Sequence, residues 1–219
     1  MDSHIIKLIE QGEHQQLDFK FCITDSRKIA RSLVAFANTK GGRLLLGVKD
    51  NGVIAGIRSD EELYMIQAAA ELYSKPQVIF GSRMWNIEGK TILEINIPKS
   101  KDPPHYVVEN NDILLSYIRV HDQNLLANHI MLKVWEKKKE RKTGTLIRFT
   151  DIEKLLLEYL NTFQTITLSK FCRLAHIPRF QAEDILVNFI ILDIIKIEIT
   201  EKLIYYIINE KFEKTMIET

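Results

Sequence analysis

The stretch from Leu33 to Ile57, LVAFANTKGGRLLLGVKDNGVIAGI, constrains this chain more than any other. Its helical pattern begins near Ser26 and stops at Gly41-Gly42, where glycine takes the left-handed conformation that a helix end needs. Leu44 to Val48 is almost wholly apolar, the pattern of a strand covered on both faces. Asp50-Asn51-Gly52 then signals a tight turn into a second strand, Val53 to Ile57. Helix, buried strand and hairpin are thus expected in quick succession, with Asp50 at the exposed end of a sheet. Chemically useful groups are often held that way, on a loop fixed by a rigid scaffold.

The flanking sequence fills in a mixed α/β domain. Residues 4 to 11 carry Ile5, Leu8 and Ile9 at helical spacing, with Gly12 as the stop. Gln15 to Phe21 alternates, placing Leu17, Phe19 and Phe21 on one face and Asp18 and Lys20 on the other. Thr24-Asp25-Ser26 offers an N-cap to the next helix, whose buried stripe is Ile29, Leu33, Val34 and Phe36. Downstream, an acid-led helix runs from Asp60 to about Tyr73. A hairpin is predicted for Val78–Ile87 and Lys90–Ile97 around Glu88-Gly89, then a strand over Leu114–Val120 and a helix over Asn124–Trp135. The helix passes into the dense basic run Lys137 to Lys142, which with Thr143-Gly144-Thr145 marks a boundary.

Beyond it, three helices (150–163, 167–175 and 179–191) precede two β-like runs, Ile194–Ile199 and Leu203–Ile208. That is the winged-helix order. The expected organisation is therefore an α/β domain over residues 1–138, a basic linker over 139–148, and a winged-helix-like domain over 149–219.

A formal net charge of +1 over 219 residues excludes a uniformly basic nucleic-acid binder, so any basic footprint must be local. Cys22 and Cys172 stand alone and form neither a zinc cluster nor a disulfide framework. The opening MDSHIIKLIEQGEH lacks a signal-peptide core, and no apolar run reaches membrane-spanning length. A soluble, cytoplasmic protein without membrane contact is expected.

Three carboxylates are candidates for chemistry: Glu13, Asp18 and Asp50. Acids gathered at the end of a sheet suit Mg²⁺ or Mn²⁺, which take oxygen ligands and can activate water for phosphodiester cleavage. Lys20, two residues after Asp18, projects from the same face and could neutralise developing charge. Glu13 joins them only if the chain bends near Gly12 and His14. Asp50 has a purely local reading as well, since aspartate favours the start of turns. No G-x-x-x-x-G-K-[ST] loop exists, so ATP is not an expected ligand. Candidate phosphate contacts are Lys40, Arg43, Lys49 and Arg119, although Arg119 could equally pair with a surface acid such as Asp122. His105 reads as an ordinary loop residue. Residues 150–219 carry eight lysines and arginines against eleven acids, which favours protein contact or dimerisation for the second domain over DNA reading.

AFANTKGG (Ala35–Gly42), the GVKDNGVIAG pattern (Gly47–Gly56) and the upstream Glu13-x4-Asp18-Phe19-Lys20 together resemble the Schlafen-type AlbA-like domain, over roughly residues 10 to 135. That domain occurs in bacterial regulators described as DNA-binding or ATP-binding and in animal Schlafen proteins. In the ribonuclease members an acidic trio carries metal-dependent RNA cleavage, and through the motif it falls on Glu13, Asp18 and Asp50. Position 18 is aspartate here, one methylene shorter than the family's usual glutamate. The family tends to place an arginine in the strand that holds Arg119. The resemblance implies a two-domain binder of DNA or RNA, a transcriptional regulator or defence-related factor. Alternatives are a metal-dependent endoribonuclease built on the trio, and a homodimeric interaction module.

Overall fold

Residues 3–140, 150–210 and 212 are described by the computed structural model, which divides into two units, Met1–Ala127 and Asn128–Thr219. Helix α1 (Ser3–Gln11) buries Ile5 and Leu8 and ends at Gly12, whose N–H bonds to the Ile9 carbonyl and whose φ of 68° turns the chain away from the helix. Strand β1 (Leu17–Lys20) alternates as expected: Leu17 and Phe19 join α1 in one apolar cluster. Asp25 caps α2 (Ser26–Asn38) by accepting from the backbone N–H groups of Arg27 and Lys28. β2 (Gly42–Leu46) follows and lies parallel to β1, Asp18 opposite Leu44.

The chain then forms α3 (Glu61–Glu71), β3 (Ser74–Lys75) and the hairpin of β4 (Gly81–Ile87) and β5 (Lys90–Ile97). β6 (Tyr106–Val108), β7 (Leu114–Leu115), β8 (Tyr117–Val120) and β9 (Gln123–Leu126) complete the unit. The main sheet has the order β1-β2-β5-β4, parallel only between β1 and β2, and so is mixed. Period-2 alternation gives it two apolar faces. Leu44, Leu46, Leu93, Ile95 and Ile97 pack with Leu33, Val34 and Phe36 of α2, while Leu17, Phe19, Leu45 and Ile92 pack with α1. Each such buried side chain contributes about 1.5–3 kcal/mol.

Three local expectations are corrected. Asp50-Asn51-Gly52 turns the chain, with the Gly52 N–H on the Lys49 carbonyl, but no second strand follows. Val48 and Ile54 make a single bridge. Gly47 takes the chain out of the sheet with φ 88°, and its carbonyl accepts from both Ala55 and Gly56. The Leu114–Val120 run is two strands broken at Ser116, β7 pairing β6 and β8 pairing β9. The helix expected from Asn124 begins only at His129, because residues 123–126 pair with β8 and Asn128 accepts the Met131 N–H as a cap.

Asn38, the last residue of α2, ties these short strands together. Its amide donates to the carbonyls of His105 and Tyr117 and to Ser116 Oγ, and its Oδ1 accepts the His105 N–H at 2.7 Å. His105, read as a plain loop residue, is instead buried, its ring nitrogens 2.8 Å from the Pro76 carbonyl and from Ser100 Oγ.

In the second unit, α4 (His129–Glu140) buries Ile130 and Val134 in one core with α5 (Asp151–Phe163), α6 (Leu168–Ala175) and α7 (Arg179–Ile191). Thr150 and Glu153 form a capping box on α5, and Thr167 caps α6. β10 (Ile195–Ile199) and β11 (Ile204–Ile208) pair antiparallel, and Ile166 bridges to Tyr206. α5, α6 and α7, followed by the β10–β11 hairpin, make a small winged-helix domain against which α4 packs. Much of the expected basic linker, residues 141 to 148, lies outside the described residues, as does residue 149. Among the described residues no helix is long and apolar enough to cross a membrane.

Asn38→Ala should lower unfolding free energy by about 3 kcal/mol, since it leaves several buried backbone groups unpaired. Urea denaturation of the variant measures this; a loss below about 1 kcal/mol would show that the clamp is dispensable.

Candidate nucleic-acid interface

Glu13 and Asp18 do meet. His14 and Leu17 exchange backbone hydrogen bonds of 2.9 and 3.1 Å, a tight turn that folds Glu13 back along β1. There Glu13 Oε1 accepts the Phe19 N–H at 2.8 Å, with Lys20 Nζ 3.9 Å away. Asp18 is 3% exposed. Its carboxylate takes Lys20 Nζ at 3.1 Å, Arg119 Nη2 at 3.2 Å and Ser32 Oγ at 3.4 Å. Burial pushes the Glu13 carboxyl above its ordinary range, and the adjoining Asp18 adds to the shift, against the lowering pull of the Phe19 N–H and Lys20.

Arg119 is inside. Its guanidinium also donates to the Leu17 carbonyl at 3.3 Å and to Asn124 Oδ1 at 3.1 Å, and it lies 5.1 Å from the Phe36 ring centre. A side chain 1% exposed and so engaged has no face for phosphate. Its partner acid is Asp18 on β1, not Asp122. All four residues of Tyr117–Val120 are buried, and a lone charge in a strand covered on both faces must be paired internally.

The acidic trio is not assembled as a metal site. Asp50 sits exposed on its turn, three residues beyond Gly47, whose N–H makes the last bond to Lys20 of β1. Among the described residues no three histidines, cysteines, aspartates or glutamates are grouped to hold a metal ion. With Asp18 already held by Arg119 and Lys20, these residues do not fit Mg²⁺ or Mn²⁺ as they stand.

The basic candidates separate. Lys40 and Arg43 line an open cavity of about 380 Å³ together with Lys99, His14, Gln16 and Asn96. No carboxylate lines it. Gly41 is why its two lysine-bearing segments approach: at φ 71° its Cα faces the β5 exit so closely that a Cβ would lie 2.7 Å from the Ile97 carbonyl and the Lys99 nitrogen. The Gln16 amide donates to the Lys40 carbonyl at 3.1 Å and steadies the same corner. Lys99 lies in Pro98–Pro104, a stretch bearing lysine and proline that carries no motif of its own. Lys49 does not line this cavity; its ammonium stands 5.7 Å from the Phe21 ring centre.

A second depression of about 330 Å³ adjoins the first and shares Arg43 and Asn96 with it. Here Glu94, 7% exposed, accepts from Trp85 Nε1 at 2.8 Å and Arg43 Nε at 3.2 Å, with His4 Nε2 at 3.4 Å. The guanidinium of Arg83 lies 4.0 Å from the Trp85 ring centre. Sequence reasoning missed Arg83 because strand alternation alone does not tell a solvated arginine from one seated on an aromatic ring.

Because the folded Glu13 carboxyl binds its proton more tightly than the unfolded one, it costs stability as pH rises through its raised value, and nothing below the ordinary carboxylate range. Glu13→Gln should therefore be more stable than wild type at pH 7, with the advantage shrinking toward pH 4. Urea denaturation across that range checks it, and an advantage that grows on acidification would sink the assignment.

Comparison with known proteins places the first unit. A family model described as Schlafen, AlbA_2 matches residues 13–128, more than half of the 219. A second, described as PCI domain, matches residues 146–209. Among solved structures, a protein of Corynebacterium diphtheriae is 19% identical with a TM-score of 0.43, covering 60% of this chain and 28% of its own. The N-terminal domain of a RecG-related protein from Nitrosomonas europaea is 19% identical with a TM-score of 0.39, covering 57% of this chain and 95% of its own. The chain thus spans well under a third of the Corynebacterium protein's length. By the extent of the family match, this chain belongs to the Schlafen AlbA_2 family.

Proposed function

We propose that the protein binds nucleic acid through the groove of its first unit. The observation that carries this is the cavity bearing Lys40, Arg43 and Lys99 with no carboxylate in its lining. Clustered cations release counterions from a phosphate backbone, and this supplies most sequence-independent affinity. Membership of the Schlafen AlbA_2 family accords with the reading. Cleavage by Glu13, Asp18 and Asp50 has no comparable support, since these acids do not form a metal-binding group among the described residues.

Binding of labelled DNA and RNA oligonucleotides in EDTA tests the proposal. Affinity should fall steeply with salt, and Lys40→Ala and Lys99→Ala should each reduce the log–log slope by about one. Arg119→Ala, in contrast, should unfold the domain and leave no specific binding signature. Absence of binding at low salt, or slopes unchanged in both lysine variants, overturns the proposal.

The winged-helix domain serves as a contact module of a regulator, through self-association. Two of its basic side chains are taken up by one acid: Arg179 and Lys133 pair with Glu183 at 2.9 and 3.2 Å. Burial alone would raise the Glu183 carboxyl, but Arg179, Lys133 and His129 together hold it below its ordinary range. Phe163, Phe180 and Leu203 are each more than half exposed. Phe180→Ser should shift a dimer toward monomer in sedimentation velocity without changing the circular dichroism; a wild-type monomer at high concentration refutes the dimer.

A further inference from the structure

We propose that the groove takes a single strand, with one nucleobase stacked on the outward face of Arg83 and its phosphates running past Arg43, Lys40 and Lys99. This rests on the nucleic-acid reading above and adds to it the class of strand.

Arg83 is exposed on the edge strand β4, and its guanidinium is seated 4.0 Å from the Trp85 ring centre. A planar guanidinium backed by indole is held flat, so its other face is presented without the rotamer loss that an unsupported arginine suffers. Trp85 is itself fixed, being buried and bonded through Nε1 to Glu94. The platform is therefore rigid from beneath. Register places Arg83 opposite Glu94 and Arg43 opposite Asn96, two strands apart on one sheet face. Two strand spacings and an offset of two residues along the sheet put Arg83 and Arg43 roughly 12 Å apart. Asn96, exposed and shared by both depressions, offers a donor and an acceptor between them.

The chemistry selects unpaired bases. In a duplex both faces of an internal base are covered by its neighbours, so a flat cation can meet only a terminal pair. In a single strand each base has a free face, and stacking on an aromatic or guanidinium plane is how such strands are held with little sequence preference. Glu94, the one acid in the second depression, is buried beneath Arg43 and Trp85 and so presents little negative charge to a phosphate.

The test uses the full chain and a labelled oligodeoxythymidine of about 12 nucleotides. The same strand annealed to its complement, an abasic strand of equal length, and an oligouridine complete the set. Wild type should bind the single strand more tightly than the duplex or the abasic strand, with quenching of indole fluorescence. Arg83→Lys keeps the charge but removes the plane; it should weaken single-strand binding about five- to hundredfold, the worth of one stacked base, and leave duplex binding unchanged. Arg83→Lys binding that matches wild type, or equal affinity for all strands, overturns this inference while the groove reading survives. No binding by any strand, or indifference to Lys40→Ala and Lys99→Ala, overturns both. Thermal melts of each variant separate lost binding from lost folding, and Arg83→Gln gives a second planar but uncharged variant, expected to lie between wild type and Arg83→Lys on the single strand.

Discussion

The buried pairing of Arg119 with Asp18 is the constraint on which the first unit depends. An isolated charge inside a protein is too costly to keep, so a guanidinium 1% exposed must be met by a carboxylate and by hydrogen-bond acceptors. It finds them on β1, on the turn before β1, and on β9, while the Phe36 ring of α2 covers it. Residues about a hundred positions apart in sequence are thereby fixed against one another. Asn124 in turn donates to Ser32 of α2 at 2.9 Å, which closes the circuit. Removing one partner would strand the other, a loss of about 3–5 kcal/mol for pairs of this kind. Arg119 Nε stays without a partner among the described residues, so even here satisfaction is incomplete.

That pairing also decides what the acids can do. Asp18 is committed to two cations, and Glu13 is left beside it in a partly desolvated corner. Burial first, and then the neighbouring Asp18, raise the Glu13 carboxyl. The outcome is a structural acid pair with an electrostatic tie, not an open set of oxygen ligands. A near-zero net charge conceals this segregation. Carboxylates are used up under α2 and at Glu94, and the cations Lys40, Arg43, Lys99 and Arg83 are left together on the opposite side of the sheet, the side that α1 covers only in part.

How much of this was legible follows from the range of each interaction. α1, β1, α2 and its Asp25 cap, the β4–β5 hairpin and the whole winged-helix order were readable, because local periodicity, caps and turn residues specify them. The hairpin after Asp50 failed for a local reason of another kind: Gly47 and Gly56, both at positive φ, turn what looks like a strand into a loop around one carbonyl. The two-residue strands β3 and β7, and β9 in place of a helix, depend on partners far along the chain that no window contains. Of the cations that line the proposed groove, Lys40 and Arg43 were singled out from the sequence and Lys99 and Arg83 were not, since what unites them is the approach of one backbone to Gly41 and the seat offered by Trp85. Arg119 was named for the wrong partner, because a strand's sequence states that a residue is charged and not what faces it.

Two buried carboxylates on opposite faces of one sheet illustrate how similar chemistry yields different results. Asp18 faces α2, where every direction is closed, so the arginine it holds becomes part of the core. Glu94 faces α1 near its end and the sheet edge, where cover is incomplete, so the arginine it holds remains 43% exposed. Glu94 also binds the indole beneath Arg83. A single acid thus orients two cations outward at the cost of one negative charge kept under them. Had position 94 been apolar, Arg43 and Trp85 would each lack a fixed direction, and the groove would be a basic patch without a shape. The buried acid is what converts local positive charge into a surface with geometry, and geometry is what distinguishes a strand that can expose a base from one that cannot.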